Sequence, residues 1–256
     1  MKPLSRMAIG LATAAALTLG SLPAQAFDVG AMTAEERAAF GAEVRAYLMQ
    51  HPEVILEAVN LLEQQQATDE ANRDVAMVAA NLEELHNDGY SWVGGNPEGD
   101  ITLVEFMDYR CGYCRKAAPE VAKLLEADGN IRLIVKEFPI LGDASVFASR
   151  FAVAAKHVAG DAAYKQIHEA LIEITSDVNE VTMRRLADGL SLDADAIFAA
   201  MDSEAVTDEL RRTRALAQNL AISGTPTFVL GNELLRGYLP ADQLKILVDE
   251  QREENS

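Results

Sequence analysis

Residues 101–116 read ITLVEFMDYRCGYCRK and contain the only two cysteines of the chain, Cys111 and Cys114. The first seven of these residues form a nearly continuous apolar run, which is typical of a strand buried on both faces of a sheet. Helical spacing of apolar residues follows over 111–127, and a second apolar run covers 131–138. A strand, a helix and a strand joined by short links predict a right-handed parallel unit with the cysteine pair where its helix begins.

The spacing of the two cysteines favours thiol–disulfide chemistry. A disulfide closes between Cys111 and Cys114 only if both sulfurs lie on one face, and the first turn of a helix provides this. The first cysteine also meets the unpaired N–H groups and the positive dipole end of the helix, which favour the thiolate. Its basic neighbours Arg110, Arg115 and Lys116 favour the thiolate in the same way. We therefore expect Cys111 to be the nucleophile and Cys114 the resolving thiol.

A metal site is the alternative interpretation of this pair. One Cys-x-x-Cys motif supplies half of a zinc site, and the four histidines of the chain show no paired spacing that would supply the other half. Two thiolates also suit linear Cu(I), so a copper- or zinc-binding protein stays open as a function of another class. The redox interpretation needs no organic cofactor and no metal, because the dithiol itself carries the redox equivalents.

Glu105 is a carboxylate inside the apolar run that precedes the cysteines. Burial would raise its pKa and make it a candidate proton acceptor for the resolving thiol. Lys136 on the neighbouring strand is a candidate counter-charge. The simpler alternative is that Glu105 lies at a solvent-exposed strand end and has no role.

Thr225-Pro226 immediately precedes an apolar run at 227–230. Proline is tolerated at the first residue of a strand because it need not donate to the ladder. A cis bond there would leave the Thr225 backbone free to pair with an extended substrate beside the dithiol, although a trans bond is the default from sequence alone.

The first 26 residues have the composition of a cleavable secretory signal. Lys2 and Arg6 give a positive start, residues 7–22 are uncharged and mostly apolar, and residues 24–26 read AQA, a small-x-small cleavage site. Removing Lys2 and Arg6 from the 22 basic residues leaves 20 against 40 acidic ones, a net charge of −20. Such an acidic chain is not expected to bind nucleic acid, which requires clustered cations. Export would place the cysteines in a compartment where disulfides persist.

The remaining sequence divides into a helical arm over 27–89, sheet-forming segments at 90–141 and 223–256, and a helical block at 142–222. In the arm, a capping box at Thr33 and Glu36 begins a helix, residues 64–69 look like a polar interruption, and apolar residues at 71, 75, 78, 82 and 85 recur with coiled-coil-like spacing. This apolar seam either packs on the chain's own core or mediates self-association. The block at 142–222 predicts five helices and no strand, and residues 94–100 look like a loop.

The motifs VEFMDYRCGYCRK at 104–116 and KEFPILG at 136–142, together with Thr225-Pro226, resemble the DsbA-like branch of thioredoxin-fold proteins over about residues 90–252. The arm, with HPE at 51–53, is similar to the N-terminal extension of the ScsC subgroup, whose members can oligomerise through it. The resemblance implies an α/β thioredoxin fold with an inserted helical domain and a preceding all-helical arm. It also implies that Pro226 is cis and faces the dithiol, and that Cys111 attacks substrate disulfides.

The resemblance further implies a periplasmic thiol:disulfide oxidoreductase that acts on unfolded or misoxidised exported proteins and is recycled by a membrane or periplasmic thiol redox partner. Gly112-Tyr113 lacks the Pro-His of strongly oxidising DsbA enzymes, and Thr225 before the proline is common in isomerases and reductases. We therefore expect a disulfide isomerase that forms a homo-oligomer through the arm. A monomeric DsbA-like oxidase is the alternative, and the sequence fixes neither the reduction potential nor the number of subunits.

Overall fold

Strand β2 (Ile101–Met107) is central to a five-stranded sheet because its sequence is apolar on both faces. The sheet order is β1-β3-β2-β4-β5, where β1 is Trp92–Gly95, β3 is Ile131–Glu137, β4 is Thr227–Leu230 and β5 is Glu233–Arg236. Strands β2 and β3 are parallel, with Ile101 opposite Ile131, and the other three pairs of strands are antiparallel. This computed structural model of the protein describes residues 29–254, so the predicted signal segment lies outside the described residues.

Ten α-helices and one short 3-10 helix (Val29–Ala31) are found in the described residues. The α-helices are α1 (Ala34–Gln50), α2 (Glu53–Ala80), α3 (Leu82–His86), α4 (Gly112–Asp128), α5 (Asp143–Ala159), α6 (Asp161–Glu173), α7 (Glu180–Gly189), α8 (Ala194–Ala200), α9 (Glu204–Asn219) and α10 (Ala241–Glu254). Helices α5 to α9 connect β3 to β4, which confirms the predicted five-helix insertion. Between residues 29 and 254, no helix combines the length and apolar character needed to cross a bilayer.

Strand β1 was missed by the sequence prediction, which placed a loop at residues 94–100. Its Gly94 and Gly95 have low strand propensity, yet Val93 pairs with Ile134 at the edge of the sheet. The aromatic ring of Trp92 folds over Gly94, where any side chain would collide with it. Glycine at position 94 therefore leaves room for the Trp92 ring against the sheet.

Two apolar clusters cover the two faces of the sheet. The larger one contains Leu103 and Met107 of β2 and packs against α4, α5, α6 and α10. The smaller one contains Val104 and Phe106 of β2 and packs against α9, α3 and the end of α2. Alternation along one strand therefore supplies both cores.

The chain divides into two compact units, residues 1–61 and residues 62–256. In the first unit, α1 begins at the predicted capping box, in which the Glu36 N–H donates to Thr33 Oγ1 at 3.3 Å and the Thr33 N–H donates to Glu36 Oε2 at 2.8 Å. Neither α1 nor the described part of α2 before residue 62 buries a side chain. Exposed large apolar side chains in this unit are Phe40, Val44, Tyr47, Met49, Ile55, Leu56, Val59 and Leu61.

The predicted polar interruption at 64–69 is wrong, because α2 continues through it. Glutamine and alanine are good helix formers, and the Thr68 hydroxyl donates to the Gln64 carbonyl at 2.9 Å, within the helix. The apolar seam that follows has two environments. Val78 and Leu85 are fully buried on the sheet, whereas Val75 and Leu82 are more than 40% exposed.

Polar contacts join the segment 74–90 to the sheet. Arg236 of β5 donates to both carboxylate oxygens of Asp74, at 2.6 and 2.8 Å. Lys136 Nζ, fully buried, lies 2.5 Å from Asp88 Oδ2 and donates to the Glu84 carbonyl at 2.8 Å. Burial opposes the charge on both partners, yet the charge of Lys136 and hydrogen bonds from Lys136 and Ser91 keep the pKa of Asp88 below its usual value. The Asp88–Lys136 pair is therefore a buried ion pair in which each charge depends on the other.

Replacing Asp88 by Asn is expected to lower the free energy of unfolding by on the order of 3 kcal/mol, because it leaves the Lys136 ammonium buried without its counter-charge. Urea denaturation followed by circular dichroism measures the change. Asp195→Asn is the matched control, since Asp195 is 90% exposed in its ion pair with Arg184 and its loss should change the stability little. Equal stability of the Asp88→Asn variant and the wild type would contradict a structural role for the buried pair.

Candidate active site

Cys111 is the N-cap residue of α4, and Cys114 lies one turn into the helix. The loop from β2 delivers them there, with the Cys111 N–H donating to the Asp108 carbonyl at 3.0 Å. Both are free thiols, Cys111 is 8% exposed and Cys114 is fully buried. Tyr113 between them is exposed beside the first sulfur. A substrate therefore reaches Cys111 first.

Opposite pKa shifts distinguish the two thiols. Burial raises the pKa of Cys111, but the Thr225 side chain and the N–H groups of Cys114 and Tyr113 stabilise the thiolate and outweigh burial, so the net shift is downward. For Cys114, burial dominates and raises the pKa. Cys111 therefore forms a thiolate more readily than Cys114 does.

The basic neighbours of the motif are directed to other partners. Arg115 donates from Nε and from its guanidinium NH2 group to the Tyr109 carbonyl, at 3.2 and 3.1 Å. Arg110 donates to the Ser176 carbonyl at 3.4 Å, and the Lys116 ammonium lies over the Tyr238 ring. The main groups that lower the pKa of Cys111 are the N–H groups at the helix start and the Thr225 side chain.

Thr225-Pro226 lies directly across from the dithiol. The peptide bond is cis, as the family resemblance implied and against the trans default. The Cys111 thiol donates to the Thr225 carbonyl at 3.1 Å. Strand β4 begins at Thr227, which pairs with Phe106 of β2, and this antiparallel register brings the two distant segments together.

Glu105 is 5% exposed, so the alternative that it lies at a solvent-exposed strand end is wrong. It is flanked by Val135 on β3 and Phe228 on β4. Burial and the charge of Glu137 raise its pKa to about 8. Within residues 29–254 its carboxylate makes no hydrogen bond or ion pair, and it lines a cavity of about 680 Å³.

Lys136 is not the counter-charge of Glu105, so that prediction is wrong. Side chains alternate across a sheet, and Lys136 is opposite Phe106 in the register, whereas Glu105 is opposite Val135. Lys136 therefore lies on the other face, where it pairs with Asp88.

Two buried carboxylates near the motif were missed from sequence. Asp108 is fully buried, and its carboxylate accepts from the N–H groups of Arg110 (2.8 Å), Ile140 (2.8 Å) and Leu141 (3.1 Å). It thereby ties the cysteine loop to the loop after β3. An acidic residue directly after a buried strand was the available signal, because such a residue often orders the following turn.

Glu137 is the second of these carboxylates, and its three partners are hydroxyl groups. Tyr109 and Tyr164 each donate to Oε1 at 2.6 Å, and Ser149 donates to Oε2 at 2.7 Å. Burial raises the pKa of Glu137 to about 7 against these bonds. The motif KEFPILG was visible in the sequence, but two of the partners come from the helical insertion and could not be paired with it.

No cluster of three or more histidine, cysteine or acidic side chains in the part of the chain described is arranged to hold a metal ion. The structure brings together Cys111, Cys114, Glu105, Thr225 and Pro226 toward the carboxyl end of the central strand β2. Such a dithiol at a helix start, facing a cis-proline loop, defines a thioredoxin-like thiol–disulfide centre.

Comparison with known proteins agrees with this class. The family model of the DSBA-like thioredoxin domain matches residues 102–249, and that of the copper resistance protein ScsC N-terminal domain matches residues 36–68. Because the first match covers more than half of the chain, the protein belongs to the DSBA-like thioredoxin family of thiol–disulfide oxidoreductases.

Solved structures and curated relatives extend the comparison. The chain is 42% identical to a thioredoxin-like oxidoreductase from Silicibacter pomeroyi, with a TM-score of 0.63, covering 67% of this chain and 97% of that one. ScsC of Proteus mirabilis in a transitional conformation is 25% identical, with a TM-score of 0.63, covering 87% of this chain and 100% of that one. The Na(+)/H(+) antiporter NhaA 3 of Salinispora tropica is 28% identical over 156 residues, which are 61% of this chain and 24% of the antiporter. The chain thus spans about a quarter of the length of the antiporters it matches.

Alkylation of the reduced protein by iodoacetamide near pH 7 is expected to modify Cys111 and spare Cys114, because the pKa of Cys111 is lowered and that of Cys114 is raised. Mass spectrometry of peptides after brief labelling measures both sites. The Cys111→Ser variant should then label slowly, and Cys114→Ser should label at the wild-type rate. Faster labelling of Cys114 than of Cys111 would reverse the assignment of the two thiols.

Glu105→Gln is expected to flatten the decline in stability between about pH 5 and pH 8. The pKa of Glu105 is about 8 in the folded state and near 4.5 in the unfolded state, so the unfolded state alone loses this proton as the pH rises through that range. The free energy of unfolding of the wild type should therefore fall with rising pH. Urea denaturation at several pH values compares the two slopes, and parallel slopes would contradict the raised pKa.

Proposed function

We propose that the protein is an exported, periplasmic disulfide isomerase. The observation that carries the proposal is the asymmetry of the two thiols: Cys111, the more accessible one, lies beside the Thr225 carbonyl with a lowered pKa, whereas Cys114 is fully buried with a raised pKa. The signal-type leader supports export to the periplasm. The proposed substrates are misoxidised or unfolded exported proteins.

The first step is nucleophilic attack by Cys111 on a substrate disulfide. The Cys111 sulfur bonds to one substrate sulfur, the S–S bond breaks, and the other substrate sulfur leaves as a thiolate. The Thr225 carbonyl, 3.1 Å from the Cys111 sulfur, is placed to accept an N–H from an extended substrate backbone. Proline at 226 has no N–H, and its carbonyl already accepts from the Gly237 N–H at 2.9 Å, so Thr225 is the residue placed to pair with the substrate.

The mixed disulfide then has two outcomes. If a second substrate thiolate attacks the substrate sulfur bonded to Cys111, a new substrate disulfide forms and Cys111 leaves as a thiolate, with no net oxidation. If Cys114 attacks Cys111 instead, the substrate leaves reduced and the Cys111–Cys114 disulfide forms. A thiol redox partner in the membrane or periplasm would then return the pair to the dithiol.

Glu105 is proposed to take the proton of Cys114 during the second outcome. The two groups are close enough for the charge of Glu105 to raise the pKa of Cys114, and Glu105 has no other partner among the described residues. A carboxylate with a pKa of about 8 is protonated in most molecules at neutral pH, so Cys114 is activated slowly. Slow resolution gives the substrate time to rearrange.

The helical arm is proposed to hold several redox domains together. Its exposed apolar side chains and its match to the ScsC N-terminal domain support self-association, because monomeric proteins rarely expose apolar surface of this extent without a partner. Two or more dithiols in one assembly would act on one substrate. A monomeric form would favour the alternative function, an oxidase of newly exported chains.

Copper or zinc binding by the two thiols is the alternative of another class. The match of residues 36–68 to a domain named for copper resistance favours testing it. Disulfide exchange by the wild type in buffer treated with chelator, lost in Cys111→Ser, supports the redox function. A wild type that exchanges no disulfide there, yet binds Cu(I), would replace it.

Two charged substitutions in the arm, Ile55→Glu with Val59→Glu, are expected to yield a monomer that no longer reactivates scrambled ribonuclease. Both positions are exposed on the same face of α2, so the change removes apolar contact surface and leaves the fold intact. Light scattering of residues 27–256 measures the mass, and the ribonuclease assay measures isomerase activity. The double variant should still reduce a small-molecule disulfide at the wild-type rate.

Asn60→Glu with Gln64→Glu is the matched control, since it adds the same two charges at the same spacing to polar exposed positions. This control should keep the wild-type mass and activity. A wild type that is already monomeric, or a monomeric variant that still reactivates scrambled ribonuclease, would contradict the arm-based isomerase.

A further inference from the structure

A cavity of about 680 Å³ lies beside Glu105, between strands β1 and β2 and helices α4 and α6. Two polar groups of its wall belong to the interior, Glu105 and His168. Lys165 and Glu169, also on the wall, are 58% and 64% exposed, so the cavity reaches solvent on the α6 side. Glu126 of α4 is the remaining charged side chain of the wall. A space of this size with polar groups admits water.

The hydrogen bonds of Tyr109 determine which nitrogen of His168 carries a proton. The single hydroxyl proton of Tyr109 is donated to Glu137 Oε1 at 2.6 Å. Tyr109 also lies 3.0 Å from His168 Nδ1, and its oxygen can only accept there. His168 is therefore protonated at Nδ1. Burial lowers the pKa of His168 to about 4, so the ring is neutral and Nε2 carries a lone pair.

The ring of His168 is held in a fixed plane. It stacks with Tyr164 at 5.7 Å and with Trp92 at 6.3 Å between ring centroids. Tyr164 also donates to Glu137, so the same carboxylate orients both tyrosines that contact His168. No hydrogen bond to His168 Nε2 comes from the described part of the chain, which leaves this nitrogen to accept from water in the cavity.

Glu105 requires a route for its proton. In the proposed function it takes a proton from Cys114 and must release it before the next cycle, and the reverse reaction needs the opposite transfer. Strands β3 and β4 flank it within the sheet, and it has no protein partner among the described residues. The cavity is a space open to water that is lined by Glu105.

We propose that His168 is a positioning residue for this proton transfer, and that its Nε2 accepts a hydrogen bond from a cavity water whose oxygen faces the Glu105 carboxyl group. The inference rests on the proposed thiol–disulfide exchange. The proton moves from Glu105 to this water and leaves past Lys165 and Glu169, and it returns by the same route. No electrons move at His168. Glu137 acts one step further away, since it fixes the Tyr109 proton and thereby the tautomer of His168.

Two amide substitutions at position 168 distinguish a positioning role of His168 from a purely structural one. Asparagine at 168 places an N–H near the Nδ1 position and keeps the bond to Tyr109, but it has no acceptor at the Nε2 position. Glutamine at 168 reaches the Nε2 position with its carbonyl oxygen and gives up the bond to Tyr109. The proposal therefore expects His168→Asn to be impaired and His168→Gln to be near wild type, whereas a purely structural role expects the reverse.

The reduction of the oxidised protein by dithiothreitol is the reaction to follow, because Cys114 leaves as a thiolate and takes a proton from Glu105. Trp92, the only tryptophan, lies in the cavity wall and reports the change by stopped-flow fluorescence. Positioned proton transfer contributes ~10²–10⁴-fold, and we expect His168→Asn to lose about tenfold and His168→Gln about twofold or less. His168→Asn should also lose the limb of the pH–rate profile that Glu105→Gln removes.

Failure of the two proposals can be told apart. If dithiothreitol does not reduce the wild-type disulfide and the wild type exchanges no disulfide with a substrate, the proposed function is wrong. If the wild type reacts, Glu105→Gln reacts more slowly and His168→Asn reacts at the wild-type rate, only the proposed role of His168 is wrong. If both variants fail to fold, ¹⁵N spectra of the wild-type imidazole decide, since the proposal requires the Nδ1-protonated, neutral ring at pH 8, where Glu137 is ionised. A ring protonated at Nε2 would overturn it.

Discussion

Burial of β2 on both faces is the constraint on which the rest of the structure depends. A strand covered by helices on both sides can only be central, so β3 and β4 pair along its two edges. The cysteine loop follows its carboxyl end and leads into α4, and the start of β4 brings Thr225 to the same end of the strands. A carboxylate in such a strand cannot be hydrated as it would be at a surface, which is why the pKa of Glu105 is raised.

Because side chains alternate along each strand, the two faces of the sheet carry different groups. One face holds the groups near the thiols, with Glu105, Met107 and the cavity under α4. The other face holds Phe106 and Lys136, against which the segment 74–90 packs. A one-residue change of register in β2 would exchange the two sets and place Glu105 against the apolar cluster that contains Val78 and Leu85. The position of one carboxylate therefore fixes which side of the sheet supports the chemistry.

Features encoded locally were predicted well from sequence. The strand at 101–107, the helix at Gly112–Asp128, the capping box at Thr33 and the five inserted helices all follow from periodicity and end signals. Features that depend on residues distant in sequence were not predicted. Glu137 accepts hydrogen bonds from the hydroxyl groups of Tyr109, Ser149 and Tyr164, up to 28 residues away, and no local sequence pattern predicts such a set. Lys136 was placed beside Glu105 because the strands were known to be neighbours while the register was not. The glycine-rich β1 was missed because pairing with β3, not propensity, makes it a strand.

The electrostatics of the site bear on the direction of the proposed reaction. An isomerase must hold its mixed disulfide long enough for the substrate to rearrange, so its resolving thiol should be slow to attack. Burial raises the pKa of Cys114, and the group placed to activate it, Glu105, itself holds its proton up to about pH 8. The lowered pKa of Cys111 acts together with this, since it favours the departure of Cys111 from the mixed disulfide. The same thiolate stabilisation would favour oxidase activity if Cys114 resolved quickly, because it stabilises the reduced dithiol. The rate at which the Cys114 proton reaches solvent through Glu105 therefore distinguishes reshuffling from net electron transfer.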